Sequence, residues 1–285
     1  MKIAITGATG ALGQLAIQFL LQNTTAANIV ALVRNEAKAA DLKTKGIEVR
    51  YFDYDAPESL LPALQGIDRL LLISANEVGR RTPQHKAVIE AAQQANVAYI
   101  AYTSLLHADT SPLGLAQEHR ETESLIQASG MKYTFLRNNW YSENHLATLA
   151  QIIEMGTLYG AAGEGRISSA ARADYAEAAA KVLTSEGHDH KIYELAGSSS
   201  FSLAELAQDI TEVSGKSIVY QNLTAEDYTQ ALTQAGLPTG LINVLVDADV
   251  QTEKGAMFSD SQDLERLIGH KTTAIKDQLE SILKS

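Results

Sequence analysis

Short β-rich runs at residues 2–6, 28–33, 48–54, 69–74, 98–104 and 133–138 alternate with segments of helical period, and this rhythm limits the chain to very few folds. Several runs are almost continuously apolar, as in Ile29-Val30-Ala31-Leu32-Val33 and Leu70-Leu71-Leu72-Ile73. Strands covered on both faces read this way, because no side of the strand meets water. Between the first two runs, Leu12, Leu15, Ala16, Phe19 and Leu20 recur at the spacing of one helix face. Ala87, Val88, Ala91, Ala92 and Ala95 repeat the pattern after the fourth run, with side chains small enough for close packing. Repeated strand–helix–strand units imply right-handed crossovers, hence an α/β fold built on a doubly wound parallel sheet.

Beyond about residue 140 the rhythm changes. Helical segments are expected at 143–155, 172–185, 202–213, 225–235 and 273–283, interrupted by strand candidates at 191–195 and 217–223. Thr224-Ala225-Glu226-Asp227 suits a helix start, while Gly215 and Gly236 stand where helices end. The expected organisation is a first domain over 1–140 and a smaller, mainly helical, substrate-covering region over 141–285. Its boundary is approximate, with the option that the later chain returns to the first sheet.

Bulk composition mainly excludes. No run approaches the roughly 18 apolar residues of a membrane span, and Met1-Lys2-Ile3-Ala4-Ile5 leads straight into a strand with no signal peptide before it, so a cytoplasmic protein is expected. The absence of cysteine removes disulfides, thiol catalysis and zinc–cysteine sites, and no metal-ligand spacing stands out. A formal charge of -11, from 23 basic and 34 acidic residues, would repel nucleic acid and anionic membranes. The dipeptide Arg80-Arg81 is no basic patch and is expected as a solvated loop pair.

The sharpest motif is Thr6-Gly7-Ala8-Thr9-Gly10-Ala11-Leu12-Gly13, between the first strand and its helix. Gly7 permits a tight turn, Gly10 a near approach of backbone to a pyrophosphate, and Gly13 close seating of the helix. The phosphate would meet free N–H groups at the positive end of a helix. This is a Rossmann-type arrangement, and the spacing GxxGxxG points to its short-chain dehydrogenase branch. Roughly 20 residues on, where a carboxylate would bind the ribose 2′-hydroxyl of NAD, stands Arg34. A guanidinium instead suits a 2′-phosphate, so NADPH is the expected cofactor, although Glu36 lies near enough to complicate the charge.

The Tyr-x-x-x-Lys pair of common short-chain dehydrogenases is missing, since no tyrosine lies between Tyr102 and Tyr133. His119 occupies the approximate tyrosine position. It reads either as a general acid or, the preferred reading, as a helix residue paired with Glu123 at i, i+4. His107 reads as a loop residue that could face a substrate, and His188 and His190 as an exposed turn. A proton donor is dispensable for an acceptor such as a quinone, which takes hydride readily.

Together these residues resemble the NmrA-like group of atypical short-chain dehydrogenases/reductases, and within it a bacterial NADPH-dependent quinone-reducing branch. The resemblance runs end to end, through 5–10, 33–35, 101–114, 136–144 and 172–175, and the 101–114 block is its most specific part. It implies that Gly7, Ala8, Thr9, Gly10, Ala11 and Leu12 hold the pyrophosphate and Arg34 the 2′-phosphate. Ser74, Ala75 and Asn76 would lie beside the cofactor. Asn138, Asn139, Trp140, Tyr141, Ser142 and Glu143 would border the nicotinamide and acceptor, with Arg172 a further contact. Trp140 and Tyr141 could stack on a planar quinone or simply pack in a core; with His119 they are the candidate catalytic residues. The expected partner is a small quinone, with a homo-oligomer left open. Alternatives are a reductase of triarylmethane dyes and an NADPH-binding redox sensor without turnover.

Overall fold

A computed structural model describes residues 1–284. The strands, in chain order, are β1 (Ile3–Ile5), β2 (Ile29–Val33), β3 (Glu48–Tyr51), β4 (Arg69–Leu72), β5 (Tyr99–Leu105), β6 (Lys132–Asn138), β7 (Thr157–Gly160), β8 (Lys191–Leu195) and β9 (Val219–Asn222). Seven of them form one sheet in the order β3-β2-β1-β4-β5-β6-β8, and every pairing is parallel. β1 and β2 are buried at every position, as their continuous apolar runs require, and β5 is buried throughout with Thr103 and Ser104 included.

The chain divides into two compact units. The first comprises Met1–Asp109, Gln117–Asn138 and Arg172–Leu195; the second comprises Thr110–Ala116, Asn139–Ala171 and Ala196–Ser285. The first unit therefore takes back a helix and a strand that lie inside the expected 141–285 region. The returning helix, Arg172–Thr184, packs on the Ala11–Asn23 helix. Buried Ala176, Ala178, Ala179 and Ala180 line it, and their small side chains allow close approach. Arg69 fixes the far end, donating from Nη1 to the carbonyls of Leu183 and Ser185, both at 3.1 Å, where a cation complements a helix C-terminus.

On the first helix the buried stripe is Leu12, Gly13, Ala16, Ile17 and Leu20, so it is rotated from the expected one. Leu15 and Phe19 are only partly buried. The Arg81–Gln94 helix buries Val88, Ala91 and Ala92 as expected, and Ala95 just beyond it, but also Arg81, Gln84 and His85.

The second unit is mainly helical. Its strands β7 and β9 pair in a separate parallel sheet, so the 217–223 strand does not join the large one. The expected helix over 143–155 is two, Ser142–Leu146 and Leu149–Met155. Ser202 and Glu205 form a capping box at the start of Leu203–Ser214, and Gly215 ends that helix at φ 71°. Thr224 caps Ala225–Gln234 by accepting from Asp227 N. The Thr239–Glu253 helix has no clear sequence signature: Pro238 and Gly240 read as loop, and Ile242, Val244, Val246 and Val250 are weak helix formers. Among the described residues, no helix is long and apolar enough to cross a membrane.

Candidate functional site

Strand order reverses between β1 and β4, and in open α/β sheets ligands lie beyond the carboxyl ends of strands at that reversal. Two segments emerge there, the glycine-rich turn and the loop after β4. Thr6 stitches them together, its Oγ1 accepting from Ile73 N at 2.9 Å. Gly7 turns the chain at φ 58°, and Gly10 N donates to Gly7 O at 2.8 Å. A Cβ on Gly13 would lie 2.3 Å from Gly7 O and 2.8 Å from Ala8 Cα, so only glycine lets the helix start this close to the turn. No side chain caps this helix and no acid occupies its first turn. Its N-terminal N–H groups are thus presented to an outside acceptor such as a phosphate.

Arg34 follows β2 and is 67% exposed. Glu36 does not neutralise it, because Glu36 Oε2 takes Lys43 Nζ at 2.7 Å. The opposing carboxylate is Glu77, whose Oε1 lies 3.5 Å from Arg34 Nη1 while its Oε2 accepts from Arg80 Nη1 at 2.9 Å. Arg34 is therefore an exposed cation held by one weak contact.

Ser74, Ala75 and Asn76 leave β4 as a tightly held loop. Ser74 N donates to Thr103 Oγ1 (2.8 Å), and Ala75 N donates to His85 Nε2 (3.0 Å). Arg81 Nε donates to Ala75 O (2.7 Å), and Glu118 accepts from Gly79 N and Arg81 N (3.2 and 3.0 Å). Arg81 is only 6% exposed, which overturns the solvated-pair expectation; Arg80 alone is exposed. His119 does not pair with Glu123 either. Its Nε2 faces Arg81 Nη1 at 3.4 Å and its Nδ1 lies 2.8 Å from Tyr102 Oη. Glu123 turns instead to Ser104 Oγ (2.6 Å) and to the Arg137 guanidinium. Since a guanidinium and a backbone N–H can only donate, both histidines accept at Nε2 and carry their proton on Nδ1. His119 is buried, and both its ring nitrogens face side chains of the first unit.

Burial pushes His85 down to about 3, with the Arg81 charge adding to the effect. Burial, then Arg81 and His85, hold His119 well below 6.5. Between pH 6.5 and about 3 the unfolded chain binds protons that the folded first unit refuses, so this stability is complete above pH 6.5 and drains as pH falls. The expected loss is up to about 1.4 kcal/mol per pH unit from His85, with His119 acting in the same direction. In the second unit His145, lowered to about 4 by burial, acts likewise, but Asp249, raised to about 6 by burial, opposes it. Urea midpoints at pH 6.5 and pH 5 check this; replacing His85 by glutamine should flatten the slope.

At the far side of the sheet, Ser104, Arg137 and Glu194 share one register row across β5, β6 and β8. Arg137, 5% exposed, is bidentate to Glu123 (3.0 and 2.8 Å) and also reaches Glu194 (2.8 Å) and Asp109 (3.1 Å). Glu194 accepts from His107 N at 2.8 Å, which ties down the loop after β5. His107 sits there at φ 52° with a partly exposed ring. Asn138, at the end of β6, is buried.

In the second unit, Asn139 directs both amide hydrogens to backbone, at Ser168 O and Met257 O (2.9 Å each), and its Oδ1 accepts from Trp140 N. Ser142 is buried against Ser169 Oγ at 2.8 Å. The structure thus gives Asn139 and Ser142 anchoring roles in that unit. Trp140, Tyr141 and Glu143 are partly buried. Arg172 opens the returning helix of the first unit. His85, Arg81 and Glu118 escaped the sequence-based expectations. One signal was present: Arg81 and His85 continue the Val88–Ala92 stripe, so polar residues extend a buried face.

A parallel sheet that reverses beside an uncapped, glycine-started helix defines the Rossmann-type class of doubly wound proteins. The chain belongs to the NAD(P)H-binding family, whose sequence profile matches residues 7–186. It is 54% identical over 277 residues to quinone oxidoreductase 2 of Escherichia coli K12, covering 97% of each chain. Among solved structures it resembles an NADPH-dependent quinone oxidoreductase from Escherichia coli complexed with NADPH, at TM-score 0.97 and 54% identity over 99% of each chain. It also resembles the Citrobacter sp. triphenylmethane reductase complexed with NADP(H), at TM-score 0.95 and 39% identity over 98% of this chain and 99% of that one.

Proposed function

We propose that this protein is an oxidoreductase that uses NADPH to reduce small quinones in the cytoplasm. The observation that carries this reading is the 54% identity, over 97% of both chains, to quinone oxidoreductase 2. The residues present fit the cofactor. The tight turn at Gly7, the close seating of the helix that Gly13 permits, and the uncapped start of that helix suit a pyrophosphate held by the backbone of Gly7 to Leu12. Arg34 suits the 2′-phosphate, and the loop from Ser74 to Asn76 suits the rest of the dinucleotide. When bound, NADPH supplies a hydride from nicotinamide C4. The protein's own task is to orient the two reactants. Trp140 and Tyr141 are our candidates for stacking on the planar acceptor.

Neither His119 nor a Tyr-x-x-x-Lys pair offers a proton donor, which favours acceptors whose reduced anion draws a proton from water. The test is oxidation of NADPH by a panel of quinones and triarylmethane dyes, followed by stopped flow. Rapid quinone turnover is expected. Faster turnover of dyes would move the substrate class to that of the Citrobacter relative. Tight NADPH binding with no turnover of either class would mark a sensor and sink the enzymatic reading.

Cofactor choice has its own check. Arg34→Ala should weaken NADPH binding by about 1.5–3 kcal/mol, the scale of a charged hydrogen bond. We expect the lower end, roughly tenfold in Kd, because the guanidinium must leave Glu77 to bind the phosphate. NADH affinity should hold, and equal losses for both cofactors by calorimetry would contradict the assignment.

A further inference from the structure

We propose that His85 and Arg81 are positioning residues for NADPH, holding the Ala75 peptide from beneath so that the loop after β4 is preset for the dinucleotide. The inference rests on the NADPH-dependent reading above and adds two residues to it. Surface loops ordinarily leave their peptide groups to water. Here both polar groups of Ala75 are claimed by interior side chains: its N–H by His85 Nε2 at 3.0 Å and its carbonyl by Arg81 Nε at 2.7 Å. His85 is 0% exposed and Arg81 6%.

The clamp is braced in turn. His85 Nδ1 lies 2.9 Å from Thr122 Oγ1, which itself donates to Glu118 O at 2.8 Å. Thr122 can therefore only accept from the ring, and the ring must leave Nε2 free to accept from Ala75. Glu118 takes Gly79 N and Arg81 N, so the loop's far end is tied to the Ala116–Ala128 helix that also carries Thr122.

The clamped peptide lies where the ligand is expected. Ile73 Cβ is 3.9 Å from where a Gly7 Cβ would stand, and the loop continues to Glu77, the counter-ion of Arg34. Fixing Ala75 thus fixes the floor of the cofactor groove and the carboxylate that faces its 2′-phosphate residue. Preorganisation of this kind raises affinity by removing an ordering cost from binding.

The experiment compares His85→Phe and His85→Gln with the wild type in the full-length protein, by NADPH titration and steady-state kinetics. His85→Phe keeps a ring but strands the Ala75 N–H. The expected result is a rise in both Kd and KM for NADPH of about tenfold, with kcat at saturating NADPH and KM for the quinone unchanged. His85→Gln should restore affinity, because its amide oxygen can accept from Ala75 and its NH₂ can donate to Thr122. Thr122→Val, which removes the brace, gives a milder rise in Kd and serves if His85→Phe does not fold. A folded His85→Phe, or Thr122→Val, that binds NADPH as tightly as wild type overturns the proposal, even if its melting temperature drops. A wild type that binds no NADPH refutes the functional reading itself, a separate outcome seen before any variant is made.

Discussion

Replacing Arg137 by methionine should cost about 3–5 kcal/mol of stability, the usual penalty for removing one partner of a buried ion pair. The side chains of Arg137 and Glu123 are 6% and 8% exposed, so Glu123 would be left as a buried carboxylate with only Ser104 Oγ as a donor. Shape is roughly kept by methionine, which isolates the electrostatic loss from cavity formation. The second variant, Arg137→Met with Glu123→Gln, should recover a large part of the deficit, since it removes the stranded charge. Urea unfolding of the single and double variants measures both numbers. A single variant within 1 kcal/mol of wild type, roughly the value of an exposed pair, would show that the cluster is solvated in solution.

Gly13→Ala is expected to be nearly as damaging, by a different route. Its Cβ would meet Gly7 O at 2.3 Å and Ala8 Cα at 2.8 Å, and both are backbone atoms that cannot rotate aside. The helix must back away from the turn, a strain of about 3 kcal/mol at the upper end of overpacking costs. The same displacement moves the N–H groups proposed for the pyrophosphate, so NADPH affinity should fall together with stability. Gly10→Ala provides the contrast, because its added Cβ meets only Gly7 O at 3.1 Å and its φ of -77° suits any residue. The order of damage in melting temperature and Kd should be Gly13 before Gly10. The reverse order would mean that the first turn of the helix is not seated as described.

The large sheet was readable from the chain because parallel strands buried on both faces leave an unbroken apolar record. β1, β2 and the Leu70–Leu72 stretch of β4 carry it. The glycine turn was readable because its spacing encodes steric necessity. Local patterns failed where a neighbour decided the outcome. Ile17 is buried where Leu15 and Phe19 were expected, on a helix that packs with the returning alanine-lined one. His119 and Glu123 stand four apart, the spacing of a helical pair, yet each goes to a partner distant in sequence: Arg81, 38 residues away, and Arg137, 14 away. No i, i+4 rule can foresee such choices, because burial selects the partner that satisfies every lone pair. In the second unit, the β-branched run after Gly240 becomes helix against its propensity, which is how tertiary packing overrides a weak local preference.

The return of residues 172–195 to the large sheet also governs how this chain can be cut. β8 is the outer neighbour of β6, so a fragment ending near residue 140 would bare the whole β6 edge and take Glu194 from Arg137. An unpaired parallel edge is a template for intermolecular strand pairing. Such a truncation would aggregate rather than yield an autonomous nucleotide-binding module.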